Sequence, residues 1–190
     1  MIVSILGNEL LQGEQVYLTA ITKADVEAMH DALMDFEYLR YVSHNIAYRL
    51  TTPDKIIENY NKERGEQRAY TFVIRLKEGD TLLGICRAKN INWHSHACEV
   101  GIGITDPAMR GKGYGTDAMR VLLRYVFMEL NLNRAELRVT SYNEAAIASY
   151  QKIGFKHEVT MREAIYRDLQ YFDIYIMGML YDEWREINGK

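Results

Sequence analysis

The chain has 190 residues, 48% hydrophobic, 26% charged and 11% aromatic, with 13 Gly and only two Pro. Those proportions exclude a disordered or collagen-like chain and fit one domain, residues 1–190, around one core. Twenty-three Lys and Arg against 26 Asp and Glu leave a net charge of −3, which argues against nucleic acid as a partner, since phosphate binding calls for an excess of cations.

Taken in chain order, the apolar stretch Ile2 to Leu6 is too short for an export signal and lacks a basic flank. No apolar run approaches the ~20 residues that span a bilayer, so no membrane partner is expected. Val16 to Ala20 alternates like a strand, and Thr22 with Asp25 forms a capping box that opens a helix carrying Met29, Leu33 and Phe36. Glu37 to Leu50 is tyrosine-rich and irregular. Thr52 and Pro53 then supply an N-cap and a first-turn proline for a polar helix to about Arg64.

Tyr70 to Leu76 and Thr81 to Asn90 are β-rich runs joined by Lys77, Glu78, Gly79 and Asp80, a tight hairpin turn in which Gly79 takes positive φ. Ala97 to Thr105 completes three consecutive antiparallel strands. After a glycine-rich turn, Thr116 to Leu130 is apolar nearly all round and reads as a buried helix. A strand over Arg134 to Thr140, a helix over Asn143 to Ile153 stopped by Gly154, and strands over Phe155 to Ala164 and Phe172 to Leu180 follow. The order predicts a mixed, mostly antiparallel α/β sheet with helices on both faces. Phe172 to Leu180 is apolar enough to pair across a homodimer. Cys86 and Cys98 form neither a CxxC nor a multi-bridge framework, which fits buried thiols in a reducing cytoplasm.

The chemistry concentrates in Arg110-Gly-Lys-Gly-Tyr-Gly115, three alternate glycines ahead of a helix whose first N–H groups lack partners and whose dipole is positive there. This is a phosphate-binding turn: Gly111, Gly113 and Gly115 let the backbone approach an anion, Arg110 and Lys112 add charge, and Thr116 adds a hydroxyl. A dinucleotide fingerprint fails because Thr116 stands at its third glycine, and a Walker A loop fails because Gly113, not Ser or Thr, follows Lys112.

The turn resembles the Q/R-x-x-G-x-G/A pyrophosphate loop of the GCN5-related N-acetyltransferases (GNAT). Val100-Gly-Ile-Gly-Ile104 resembles that family's fourth strand, and Asn143-Glu-Ala-Ala-Ile-Ala-Ser-Tyr150-Gln-Lys-Ile-Gly-Phe155 its second cofactor motif, N-x-x-A-x-x-x-Y-x-K-x-G-F. The pattern around Glu99 is most similar to the branch that acetylates ribosomal-protein termini and spermidine. The resemblance, which runs from Val16 to about Trp184, implies a fold with a V-shaped splay between strands four and five and acetyl-CoA as co-substrate. In that arrangement the backbone of Ile102, Gly103 and Ile104 pairs with pantetheine like an added strand. Residues 110–116, Tyr114 included, hold the pyrophosphate, and Asn143 acts as helix cap, pantetheine ligand or both. Ala145, Ala148 and Ser149 leave room for the cofactor arm.

Two catalytic assignments follow. Tyr150 is suited to protonate the departing thiolate, as the resemblance also implies. An alkyl amine of pKa near ~10.4 is almost wholly protonated at neutral pH, and Glu99 shares strand parity with Gly101 and Gly103, whose bare side gives the thioester room. Glu99 is therefore expected to be the general base, directly or through water. A bulge in its strand would free an N–H for the developing oxyanion.

His94, His96 and Cys98 alternate, but the run begins in a predicted turn without a fourth ligand, so no metal is expected; either histidine is a candidate proton relay. Asp25, Glu27, Asp31, Asp35 and Glu37 would attract a cationic acceptor, and tyrosines between Tyr38 and Tyr60 would line its pocket. The acceptor is a small-molecule or peptide amine. The alternative is an acyl-CoA-binding or sensing module of the same fold without turnover.

Overall fold

The computed structural model describes residues 9–42 and 51–189. Seven strands, β1 (Val16–Ala20), β2 (Tyr70–Leu76), β3 (Leu82–Asn92), β4 (Ala97–Ile104), β5 (Arg134–Thr140), β6 (Lys156–Arg167) and β7 (Gln170–Leu180), form one sheet in the order β1-β2-β3-β4-β5-β7-β6. Every neighbouring pair is antiparallel except β4 and β5, which run parallel and pair only at Ala97 with Arg134, Cys98 with Ala135 and Glu99 with Glu136. From Val100 onward the two strands part, which is the expected splay. The apolar stretch Ile2 to Leu6 and most of the irregular run Glu37 to Leu50 lie outside the described residues.

Helices cover both faces. On one side α1 (Lys23–Met34), α2 (Phe36–Val42) and α3 (Pro53–Gly65) pack Val26, Met29, Leu33, Tyr38 and Ile56 against Val73 and Ile85. On the other, α4 (Tyr114–Arg124) and α5 (Glu144–Ile153) close a larger core in which Met119, Leu122 and Leu123 meet Cys86, Ala88, Cys98 and Val100. A last helix, α6 (Tyr181–Asn188), seats Trp184 in that core.

The local signals act as expected at several ends. Thr22 and Asp25 cap α1 reciprocally, and the Thr52 hydroxyl accepts from the Lys55 N–H. Gly79 and Asp80 take φ of +75° and +53° in the β2–β3 turn. Gly154 ends α5 at φ +115°, where any Cβ would be strained and would press on Ile187.

Four expectations are corrected. The tyrosine-rich run is partly helical: Asp35 leaves α1 in an extended conformation, and its carboxylate accepts the Tyr38 N–H at 2.7 Å, starting α2. The buried helix begins at Tyr114, directly after left-handed Gly113, and its end, Tyr125 to Glu129, widens into a π-turn that sets the Tyr125 ring 4.9 Å from Phe72. α6 follows β7 without a side-chain cap of the usual type; the Glu183 carboxylate takes the Leu180 N–H instead. Finally, β7 lies between β5 and β6, so Phe172 to Leu180 offers no free strand edge to a second copy; the edge strands are β1 and β6.

Candidate active site

The site is assembled around β4. Its side chains alternate between the two faces, so Cys98 and Val100 enter the α4–α5 core while Glu99, Gly101 and Gly103 face α1–α3. Thr105 donates its N–H to Leu83 on β3 at 2.9 Å. The alternation of an antiparallel ladder then points the peptide groups of Ile102 and Ile104 the other way, into the splay. The Ile104 carbonyl does face that way, because the Arg110 guanidinium reaches it at 3.1 Å.

The glycine turn lies at the end of the splay. Gly111 and Gly113 adopt φ of +74° and +88° between residues of ordinary conformation, an alternation that makes successive N–H groups converge into an anion-binding concavity. Gly113 is the N-cap of α4 and brings no side chain to the first N–H groups of the helix. A Cβ at Gly111 would meet nothing within 4 Å, and one at Gly115 would make only ordinary contact with Ile104 and Ile102, at 3.8 and 4.0 Å. The Thr116 and Ser149 hydroxyls are 2.8 Å apart, tying the start of α4 to α5. An open, donor-rich cradle continuous with an unpaired strand side fits a diphosphate followed by an amide-bearing arm.

The two cations of the turn differ. Lys112 is exposed, but Arg110 is folded back, its guanidinium donating to the carbonyls of Ile104 and Thr105 at 3.1 and 3.2 Å. Arg110 therefore fastens the turn to β4 and lends its charge from behind. Asn143 acts as a cap, its side-chain oxygen accepting the Ala146 N–H at 3.3 Å.

Tyr150 sits in the α4–α5 core, edge-on to Phe155 at 5.9 Å. Burial pushes its pKa up to about 12, and among the described residues no hydrogen bond engages its hydroxyl. It lies on the opposite face of the sheet from Glu99, with the splay between them. Glu99 is not a free carboxylate: it pairs with Lys89 at 2.8 Å, its register partner on β3, and accepts from the Asn90 side chain at 2.9 Å. Burial works to raise its pKa, but Lys89 and Asn90 outweigh burial and hold it below the ordinary carboxylate range.

The expected bulge is on β3, not β4. The register shifts between Lys89 and Asn92, with Asn90 at φ +52°, and this kink aims the Asn90 amide at Glu99. The bare side of β4 is also half as large as predicted. Gly101 is open, with nothing within 4 Å of a Cβ, but the space beside Gly103 is filled by the Tyr38 hydroxyl from α2.

On this face Gly101, Ile102 and Gly103 floor a cavity of about 250 Å³ walled by α1, α2 and α3, with Arg87 and Lys89 of β3 at its polar end. Of the tyrosines expected there, Tyr38 and Tyr60 line it, Tyr41 lines a separate cleft, and Tyr48 is outside the described residues. The acidic residues of the first helix are engaged elsewhere: Asp25 is buried against Arg75 at 2.5 Å, and Glu27 faces Lys23. His94 and His96 are exposed in the β3–β4 turn, away from the cavity, and burial pushes the Cys98 thiol up to about 12, unsuited to nucleophilic work. Among the described residues no three His, Cys, Asp or Glu side chains group as metal ligands, and no helix is long and apolar enough to cross a membrane.

Two further residues organise the site without a motif to announce them. Asp117 in the first turns of α4 is buried and accepts the N–H groups of Glu14, Gln15 and Val16 at 3.0, 2.7 and 3.0 Å. Two turns on, Arg124 donates to the carbonyls of Glu9, Leu10 and Gln12.

The chain belongs to the GNAT acetyltransferases: the model described as Acetyltransferase (GNAT) domain matches residues 15–156, a span that holds both the splayed parallel pair and the glycine turn. It is similar to the uncharacterized N-acetyltransferase p20 of Bacillus licheniformis, 26% identical over 93% of this chain and 98% of that protein. It is equally similar to the spermidine N(1)-acetyltransferase of Vibrio cholerae, 26% identical over 90% and 95% of the two chains. A crystal structure of spermidine N-acetyltransferase from Vibrio cholerae in complex with CoA and spermine superposes with a TM-score of 0.80 at 25% identity, covering 90% of this chain and 98% of that one.

Proposed function

We propose that the protein transfers an acetyl group from acetyl-CoA to a primary amine by direct attack in a ternary complex. The observation that carries this reading is the parting of β4 from β5 at Val100, directly beside the left-handed glycines at 111 and 113. Bound acetyl-CoA supplies the acetyl group as an activated thioester. The N–H groups of residues 111–116 and the Lys112 ammonium hold its diphosphate, with Arg110 bracing the turn, and the exposed peptides of Ile102 and Ile104 pair with the arm alongside Gly103. Asn143 shapes the start of α5 as a cap.

Glu99 takes the amine proton. Its ion pair keeps it charged and makes it a weak acceptor, so transfer through a bridging water suits it better than direct abstraction. Tyr150, protonated throughout the neutral range, donates to the departing thiolate. Two buried, unpaired thiols fit a reducing compartment such as the cytoplasm.

Thiol release from acetyl-CoA measured across a panel of amines tests the reading. Acceptor-dependent release supports it. CoA binding with a flat response to every amine would favour a non-catalytic acyl-CoA-sensing module instead.

A further inference from the structure

The walls of the cavity beside Gly101 restrict what can be acetylated. Its lining is mixed: Leu33, Leu39, Ile56 and Ile85 supply an apolar wall, and Thr51 and Asn59 add neutral polar groups. At about 250 Å³ it is smaller than the roughly 300–1,000 Å³ clefts that enclose drug-sized ligands, so it holds a small amine or one end of a larger one. Among the described residues its charged lining is Glu63, Arg87 and Lys89, two cations to one anion.

Among the described residues, no carboxylate there is waiting for a partner. Glu63 is ion-paired with Arg87, and Arg87 is held in turn by the Thr71 hydroxyl at 2.9 Å and by the Tyr60 ring, 4.7 Å below its guanidinium. Glu99, next to the cavity, belongs to Lys89. The acids of α1 and α2 face other ways: Asp25 meets Arg75, Asp35 caps α2, Asp31 is fully exposed and Glu37 lines the separate cleft.

A polyamine would bring several ammonium groups to this place. Each would have to leave water without a free carboxylate to meet it, and a buried charge without a partner is costly. We propose that the acceptor is a single amine on an uncharged, mostly apolar body, and that polycations are rejected. The proposal rests on the acetyl-transfer reading and narrows its substrate.

The test compares kcat/KM for spermidine, 3-methylbutylamine and 2-phenylethylamine in the same thiol-release assay. The three are ordinary alkylamines, so a difference in ionisation does not decide the ranking. The expected result is at least a tenfold preference for the two apolar monoamines. Spermidine turned over as well as either would overturn the acceptor class while leaving acetyl transfer intact, whereas bound acetyl-CoA with no turnover of any amine would sink the reaction itself.

A second arm uses Arg87→Gln, which releases Glu63 to receive an ammonium. The ratio of spermidine to 3-methylbutylamine turnover within that variant is expected to rise about tenfold over wild type, and an unchanged ratio in the folded variant contradicts the charge argument. Should the variant not fold, the wild-type ranking still decides.

Discussion

The two glycines of β4 that look alike in the sequence do different things. Gly101 faces open space and Gly103 faces the Tyr38 hydroxyl. Gly101→Val is expected to leave stability within about 0.5 kcal/mol of wild type, because a strand accepts a β-branched residue. It should lower kcat/KM on the order of 100-fold by displacing the reacting groups. Gly103→Ala should do the reverse, costing about 1–3 kcal/mol through overpacking, with Tyr38→Phe in the same chain returning part of that loss. Denaturation midpoints and initial rates on the four proteins separate the roles. For Glu99→Gln the predicted loss of kcat/KM is largest at the acid end of the profile, where the amine most needs to shed its proton and the wild-type carboxylate, held low by Lys89 and Asn90, is still charged. A loss that is uniform across pH would assign Glu99 to holding Lys89 in place rather than to proton transfer.

At the scale of elements, α4 is the organising piece. Its N-terminus follows directly on the left-handed glycine turn, and its Asp117 and Arg124 gather N–H and carbonyl groups of residues 9–16. Asp117→Ala strands the buried Val16 N–H and frees those of Glu14 and Gln15, which are nearer to water; at about 1–3 kcal/mol for a buried donor left without a partner, a loss of about 1–3 kcal/mol is expected in urea unfolding. Gly13 belongs to the same arrangement, since a Cβ there would lie 2.6 Å from the Asp117 carboxylate.

These elements also mark how far the sequence alone could be read. The capping box at Thr22, the β2–β3 turn, the glycine alternation before α4 and the stop at Gly154 are local, and each was legible because a turn or cap depends on a few adjacent residues. What depends on register was not. That Lys89 would stand opposite Glu99, or that a hydroxyl from α2 would fill the space at Gly103, follows from how strands and helices are placed against one another, not from spacing within one segment. α2 was missed although Asp35 is an ordinary helix-starting residue, because the run behind it lacks a repeating apolar stripe. α6 has a leucine, Leu180, at its N-cap in place of the usual capping side chain.

Across the whole molecule, the charge network sets the acid limit of stability. Lys89 and Asn90 hold Glu99 low against the effect of burial, Arg134 holds Glu158 low, and Lys156 together with the Leu180 N–H does so for Glu183. A carboxyl whose pKa falls on folding makes the unfolded chain the stronger proton binder. Its contribution is complete above the unfolded value, near ~4.3, and is lost as the pH drops through the folded one. Calorimetric Tm should therefore be flat from neutrality to about pH 5 and fall below about pH 4; a Tm that climbed on acidification would contradict the pairing.

The account stands on capture of the CoA diphosphate by residues 110–116, and titration calorimetry with acetyl-CoA is the most direct trial of it. Saturable binding is predicted, with Kd within the ~1 μM–1 mM span typical of enzyme substrates, weakened at least tenfold in a folded Gly113→Val protein. Absence of heat at millimolar ligand, or undiminished affinity in that variant, would contradict it.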